Sequence, residues 1–465
     1  ALGLSDRVTV PADADDEAAA TRALVEAVDA ELGTGWLRSV TPSFDADRAV
    51  LIDDRWATAR EDVARLGSGE TDLDASRRLL APERFVGLGQ AVADHATWWA
   101  KQVKGSELAD AAERAAILTE IAQAAPKTPQ TGDSTVRWSE DVAVVTGVAP
   151  GSIAAAVVGE LLAGGATVVA TSSRLTHERL EFATTLYREH AAAGAKLWMV
   201  PANLSSYRDV DALAEWIGND QVVTSGGSTK VVKEALVPTL LFPFAAPRVS
   251  GTLADAGPAA ESQTRLLLWS VERTIAALSA IGTDTHVDHR LHVVLPGSPN
   301  RGTFGGDGAY GEVKSALDAI VNRWSSERAW AQRVTLAHPR IGWVKGTGLM
   351  GGNDPLVAAV EAAGVRTWTT EEIASELTDL CTSEVRTRAA RTPVNADLTG
   401  GLGDDIDLVA LRENAAAQAA APTEETEAPA VIQALPTPVV PTQPTAPQWG
   451  EVSAHLDDPV VFIPT

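Results

Sequence analysis

Tyr310 and Lys314 stand four residues apart, and Ser298 precedes the tyrosine by twelve, in the run LHVVLPGSPNRGTFGGDGAYGEVKSALD over residues 291–318. These three residue types suit the reduction of a carbonyl. A hydride arriving at carbon leaves charge on oxygen, and a positioned acid must deliver a proton there. Tyrosine, with an ordinary pKa of about 10, is a slow acid at neutral pH, and a neighbouring ammonium stabilises tyrosinate and lowers that value. A serine hydroxyl can hold the same oxygen in place. A tyrosine and a lysine at this spacing also occur as an ordinary pair on a helix surface, so the chemistry needs a second signature elsewhere in the chain.

The elements that must position these groups can be read from the flanking pattern. Val293, Val294 and Leu295 form a short apolar run, a strand that delivers Ser298 to a loop at its end. From Gly308 onward, Val313, Ala316, Leu317, Ile320, Val321 and Trp324 recur at helical spacing. Residues i and i+4 share a helix face, so Tyr310 and Lys314 can address one small volume.

The second signature lies at residues 141–154, DVAVVTGVAPGSIA. The β-branched run 142–145 predicts a buried strand, Gly147 and Gly151 a tight turn, and Ser152, Ile153 and Ala154 the opening of a helix. This plan places a pyrophosphate on a helix N-terminus. The next strand, 166–170, runs into TSSR. No acidic residue stands there for a ribose 2′-hydroxyl. Ser173 and Arg174 stand there instead, and an arginine at that place accommodates a 2′-phosphate, which predicts NADPH over NADH. From residue 141 strands and helices alternate, with further strands at 196–200, 238–242 and 333–341. That pattern predicts an α/β fold with a doubly wound parallel sheet of Rossmann type.

A TG-x3-G turn followed by Ser298, Tyr310 and Lys314 resembles the short-chain dehydrogenase/reductase superfamily. The segments TGVAPGSIA, TSSR, PANL, LFPFAAPR and LPGSPNRGTFGGDGAYGEVKSALDA resemble one branch more narrowly. That branch is the β-ketoacyl reductase region of type I fatty acid synthases, of the bacterial (actinobacterial) and fungal kind. The likeness spans residues 45–403. It implies NADPH-dependent reduction of 3-oxoacyl groups carried on an acyl carrier protein domain. It implies Tyr310 as proton donor, Ser298 as the group orienting the substrate oxygen, and Lys314 as the tyrosine's modulator and a holder of the nicotinamide ribose. It places Asn203 and Leu204 at the adenine and, more weakly, Ala245 and Ala246 along the cofactor. Many relatives carry an asparagine on the helix before the catalytic one, in a proton relay to the lysine. None lies within residues 258–281, where Arg265 is the nearest match in position. The resemblance also implies a ketoacyl synthase as the next domain and a homo-oligomeric parent assembly.

The rest of the chain bounds this picture. Its 465 residues exceed one reductase domain. A net charge of −24 argues against nucleic-acid and anionic-membrane partners, and the single Cys381 against a disulfide framework or a cysteine-rich metal site. No run is long and apolar enough for a membrane span, and a cytoplasmic setting is expected. We expect a helical structural extension over 1–135, in which His95, Trp98 and Trp99 pack. The NADPH-binding reductase domain should occupy 136–412, with a polar surface excursion at 218–234 and a glycine-rich loop at 342–352, which the resemblance places over the nicotinamide and which its composition equally allows as a flexible turn. An Ala/Pro-rich disordered linker over 413–450 and the start of a synthase-like domain over 451–465 should follow, making the chain a piece of a longer polypeptide. Two other readings stay open: a module that is mainly structural, and a reductase of a free small molecule.

Overall fold

In the computed structural model the described residues are 14–73, 89–125, 137–192, 194–247, 249–283, 289–302, 306–347, 356–403 and 410. The chain divides into two units, residues 1–415 and 416–465, and all described residues belong to the first. The expected 413–450 linker and the 451–465 segment therefore lie outside the described residues, as do residues 126–136.

The framework is an eight-stranded sheet. In chain order its strands are β1 (Val50–Ile52), β2 (Val142–Thr146), β3 (Thr167–Ser172), β4 (Lys196–Pro201), β7 (Leu240–Pro243), β8 (Leu291–Val294), β9 (Val334–Ile341) and β10 (Val394–Leu398). A separate hairpin supplies β5 (Gln221–Ser225) and β6 (Ser228–Lys233). The spatial order is β1-β4-β3-β2-β7-β8-β9-β10. Every pairing in the sheet is parallel except β1 with β4. The chain winds outward from β2 through β3 and β4, then crosses to β7 and winds the other way. This is the doubly wound Rossmann arrangement, and its strand order reverses between β2 and β7.

Both faces of the sheet are covered, which is why its strands read as unbroken apolar runs. Ala143, Val145, Val168, Ala170, Leu197 and Met199 point to one side and pack against helices Ile153–Ala163, His177–His190 and Thr370–Asp379. Val144, Val169, Val200, Leu241 and Val293 point to the other and meet helices Tyr207–Gly218, Ser270–Leu278 and Tyr310–Ser326. Asp141, just before β2, is gripped by Arg386 through two bonds of 2.8 and 2.9 Å and accepts a third from the Thr239 hydroxyl. That cluster ties the first strand of the winding to its last helix.

The segment 218–234 forms the exposed β5–β6 hairpin, a surface excursion as its polarity predicts. The last edge strand of the sheet is Val394–Leu398. Two features of the N-terminal region differ from expectation. Residues 50–52 are a strand of the sheet, although three apolar residues inside a charged stretch carry too little pattern to reveal one. Helices Arg55–Ser68, Gly89–Lys104 and Ala111–Ala124 share their own core around Val92, Ala96 and Leu118. Trp98 does not pack into that core: it is 51% exposed and stacks on His95.

Candidate active site

The carboxyl ends of β2, β3, β4, β7 and β8 converge on one rim, where ligands bind in sheets of this winding. Gly147 leaves β2 with φ of 77°, in the left-handed region that a side chain disfavours. A Cβ there would lie 2.5 Å from the Cα of Ala245, so only glycine lets the two strand ends approach across the crevice. Ala245 in turn donates its N–H to the Thr146 hydroxyl at 3.0 Å. Ala246, next in the chain, is exposed. Ser152 caps helix Ile153–Ala163 by accepting the Ala155 N–H at 3.1 Å. Gly151, with φ of 68°, leaves the approach to this helix end open: a Cβ would find only the Gly346 carbonyl, at 3.5 Å.

Ser298 sits on the loop after β8, which is fastened to β9: Gly297 donates to the Pro339 carbonyl and its own carbonyl accepts from Ile341. The Ser298 hydroxyl accepts the Asn300 N–H at 3.1 Å, which leaves its proton free to donate, and it reaches the Tyr310 phenol. Tyr310 opens helix Tyr310–Ser326, whose buried face carries Val313, Lys314, Leu317, Ile320 and Trp324. The spacing of four brings the Lys314 ammonium to 5.4 Å from the Tyr310 ring centroid. Lys314, 8% exposed, donates to the Pro296 carbonyl at 2.6 Å. The structure thus brings Ser298, Tyr310 and Lys314 together.

Spacing alone predicts a phenol lowered by the ammonium, and here the direction is the reverse. Burial pushes Tyr310 up to about 12; the Ser298 hydrogen bond opposes this and the Asp307 carboxylate adds to it. Burial also brings Lys314 down to about 8. Desolvation of the charged form outweighs the pairwise attraction that the spacing suggests. A phenol held this high keeps its proton until a stronger base, such as a nascent alkoxide, forms beside it.

Several supporting residues carry no signal in the sequence. Gln263, 1% exposed, accepts the Ala309 N–H at 2.7 Å and so holds the start of the helix that carries Tyr310. Asn300 bridges its loop by donating to Asp307 at 2.7 Å and accepting from Gly302 at 3.0 Å. His338 lies beneath Gly297, where a Cβ would come within 2.7 Å of its ring, and bonds the Leu295 carbonyl and Asp318. Asn300 and His338 are polar residues in stretches otherwise read as loop or strand, and Gln263 lies on the helix read over 258–281. Only the fold shows that they meet at the site.

Arg265, the nearest match in position to the relay asparagine, is engaged away from Lys314. It opens a π turn, Arg265–Trp269, and its guanidinium lies over the rings of Tyr207, at 4.5 Å, and Trp36, at 5.6 Å. The amide of Asn203, expected at an adenine, is committed elsewhere. It donates to the carbonyls of Ser39 and Thr41, at 2.8 Å each, and accepts from Ser205. Leu204 is buried, with its carbonyl bonded to the Ser270 hydroxyl. Ser173 and Arg174 are exposed at the end of β3 and line a cavity of about 620 Å³ together with Asn203. Of the glycine-rich loop 342–352, residues 348–352 lie outside the described residues. Among the described residues no cluster of three or more His, Cys, Asp or Glu is placed to hold a metal. No described helix is long and apolar enough to cross a membrane.

Comparison with known proteins gives this geometry a context. The chain is 38% identical over 272 residues to the fatty acid synthase subunit alpha of Saccharomyces cerevisiae, which covers 57% of this chain and 14% of that one. It is 36% identical over 269 residues to the Schizosaccharomyces pombe subunit, with the same shares. The chain is homologous to a segment of these alpha subunits. These relatives are fungal, and the actinobacterial attribution drawn from the motifs gains no support from them. The chain spans about 14% of the length of the relatives it matches. No family model matches it. Among solved structures it is similar to a short-chain type dehydrogenase/reductase from Mycobacterium ulcerans, at 18% identity and a TM-score of 0.47 over 60% of this chain and 95% of that one. It is also similar to a short chain dehydrogenase/reductase family protein, at 20% identity and a TM-score of 0.43 over 57% and 98%. The fold assignment rests on the strand order, not on these superpositions.

Proposed function

We propose that the chain is an NADPH-dependent 3-oxoacyl-[acyl carrier protein] reductase, acting as one part of a multifunctional type I fatty acid synthase in the cytoplasm. The observation that carries this reading is the convergence of Ser298, Tyr310 and Lys314 at the end of β8, two strands from the Gly147 turn. Homology to the fungal alpha subunits supports the setting. It also supports other synthase domains as partners: a carrier domain presenting the acyl chain, a ketoacyl synthase and further copies in a homo-oligomeric parent. Residues 136–412 would form the catalytic domain and 1–135 its structural extension.

The residues present fit a dinucleotide. The crevice between Gly147 and Ala245, the open approach at Gly151 and the N-terminus of helix Ile153–Ala163 together offer a cradle for a pyrophosphate. Ser152 and Ile153 form its wall, with Ser173 and Arg174 at the adenosine end. When bound, NADPH supplies the hydride that reduces the 3-oxo carbon. Ser298 donates a hydrogen bond to the substrate oxygen and holds it near the Tyr310 hydroxyl. Tyr310 transfers its proton to that oxygen as charge develops, giving the 3-hydroxyacyl thioester. Lys314 then faces a tyrosinate, which its ammonium stabilises until a proton is recovered. Its position beside the Pro296 carbonyl also suits a contact with the nicotinamide ribose.

The test is NADPH oxidation, followed at the nicotinamide absorbance, with a 3-oxoacyl chain offered on a loaded carrier protein and as a simple thioester. Faster turnover of the carrier-borne chain at equal concentration is the expected result. Equal use of both, or reduction of unrelated small ketones only, would contradict the carrier assignment.

A further inference from the structure

Around the Arg174 end of the site, the N-terminal extension behaves as part of the reductase rather than as a neighbour to it. Its residues 39–44 are fixed to the rim by the Asn203 amide and by the buried Asp209 carboxylate, which accepts the N–H groups of Ser43 and Phe44 at 2.8 and 2.9 Å. Arg48 adds a bond to the Leu175 carbonyl at 3.0 Å, and Val50–Ile52 then joins the sheet edge beside β4. These anchors hold the short helix Trp36–Val40 near the ends of β3 and β4, and the open cleft between them is the cavity of about 620 Å³.

Arg38 from the extension and Arg174 from the sheet both line that cavity. Among the described residues neither is in an ion pair. One carboxylate, Asp29, also lines the cavity, and it accepts the Gly35 N–H at 3.3 Å. Two cations against one anion leave an excess of positive charge facing a common space, next to the hydroxyl of Ser173. A phosphate monoester, carrying about −1.5 to −2 charge at neutral pH, has the sign and the acceptor oxygens to bridge them.

We propose that the N-terminal extension completes the cofactor site, Arg38 joining Arg174 as a second grip on the ribose 2′-phosphate. Arg38 is thereby a determinant of NADPH over NADH, placed more than 130 residues before the second arginine and outside the βαβ unit that ordinarily holds this phosphate. This assignment rests on the reductase reading and extends it to a segment otherwise regarded as scaffold.

The experiment is calorimetric titration of the whole chain with NADPH and, separately, NADH, for the unaltered protein, Arg38→Ala, Arg38→Lys and Arg174→Ala. Both arginines are exposed, so thermal melts of the variants should match that of the parent. Arg38→Ala should weaken NADPH binding about tenfold, the scale of one charge-assisted contact, and leave NADH binding unchanged. Arg38→Lys should recover part of the difference. A parent that prefers NADPH and an Arg38→Ala variant with the same preference would overturn the role of Arg38 and leave the reductase reading standing. Equal losses for both nucleotides would also overturn it, because the residue would then act without reference to the phosphate. Absence of NADPH binding by the parent would remove the reductase reading itself, and this proposal with it.

Discussion

Tyr310 combines a pKa raised to about 12 with a lysine brought down to about 8, both through burial. The lysine is therefore the group of the pair that titrates near working pH. Below about 8 it is an ammonium able to stabilise the tyrosinate left by proton donation; above that value the charge is lost. We expect kcat/KM for reduction to fall as pH rises through about 8 on the enzyme side. A Lys314→Arg variant, whose side chain stays charged, should lose that limb whatever its absolute rate. A flat profile through this range in the parent would contradict the assignment. That Tyr310 and Lys314 would meet was legible from their spacing, because a helix enforces the i, i+4 contact locally. The direction of the tyrosine shift was not legible, because it depends on how deeply the fold buries the pair. Gln263, His338 and Asn300 were hidden for a related reason: their partners, apart from the side chains of Ser298, Asp307 and Asp318, are carbonyls and N–H groups that any residue supplies.

At the scale of elements, the β2 turn and the helix after it form a unit whose geometry a single methyl group can spoil. Gly147→Ala would force a side chain into the left-handed region, a cost of about 1–2 kcal/mol, and would set its Cβ 2.5 Å from the Ala245 backbone. The expected result is a lowered melting temperature together with loss of NADPH binding. An alanine variant that melts and binds like the parent would show that β2 and β7 need not approach here. Most strands announced themselves, since burial on both faces demands the β-branched runs at 142–145, 167–170 and 291–294. β1 did not. Its three residues are half-buried at an edge, and the bonds that place it run to β4, about 150 residues later in the chain. The helix before the one that carries Tyr310 also differs from a regular continuation. Its π turn at Arg265–Trp269 turns Arg265 toward Tyr207 and Trp36, a shift of face that helical periodicity cannot foretell.

For the whole molecule, the doubly wound order follows from alternating strand and helix signals, and the site falls where that order reverses. The relation of the N-terminal region to the sheet was not readable. It depends on contacts between residues 39–52 and 175–209, made by an amide, a carboxylate and backbone groups with no sequence pattern of their own. A region that reads as helical scaffold therefore divides in two: one part lines a cavity at the end of β3, and the helices over 55–124 keep a core of their own. The claim on which the account turns is that this whole chain reduces a carbonyl through Tyr310. The direct measurement is NADPH oxidation with a 3-oxoacyl thioester by the parent chain and by Tyr310→Phe, with NADPH affinity determined for both. Removal of the general acid should cost about a hundredfold or more in turnover, with NADPH affinity unchanged. A phenylalanine variant that turns over like its parent would contradict that claim.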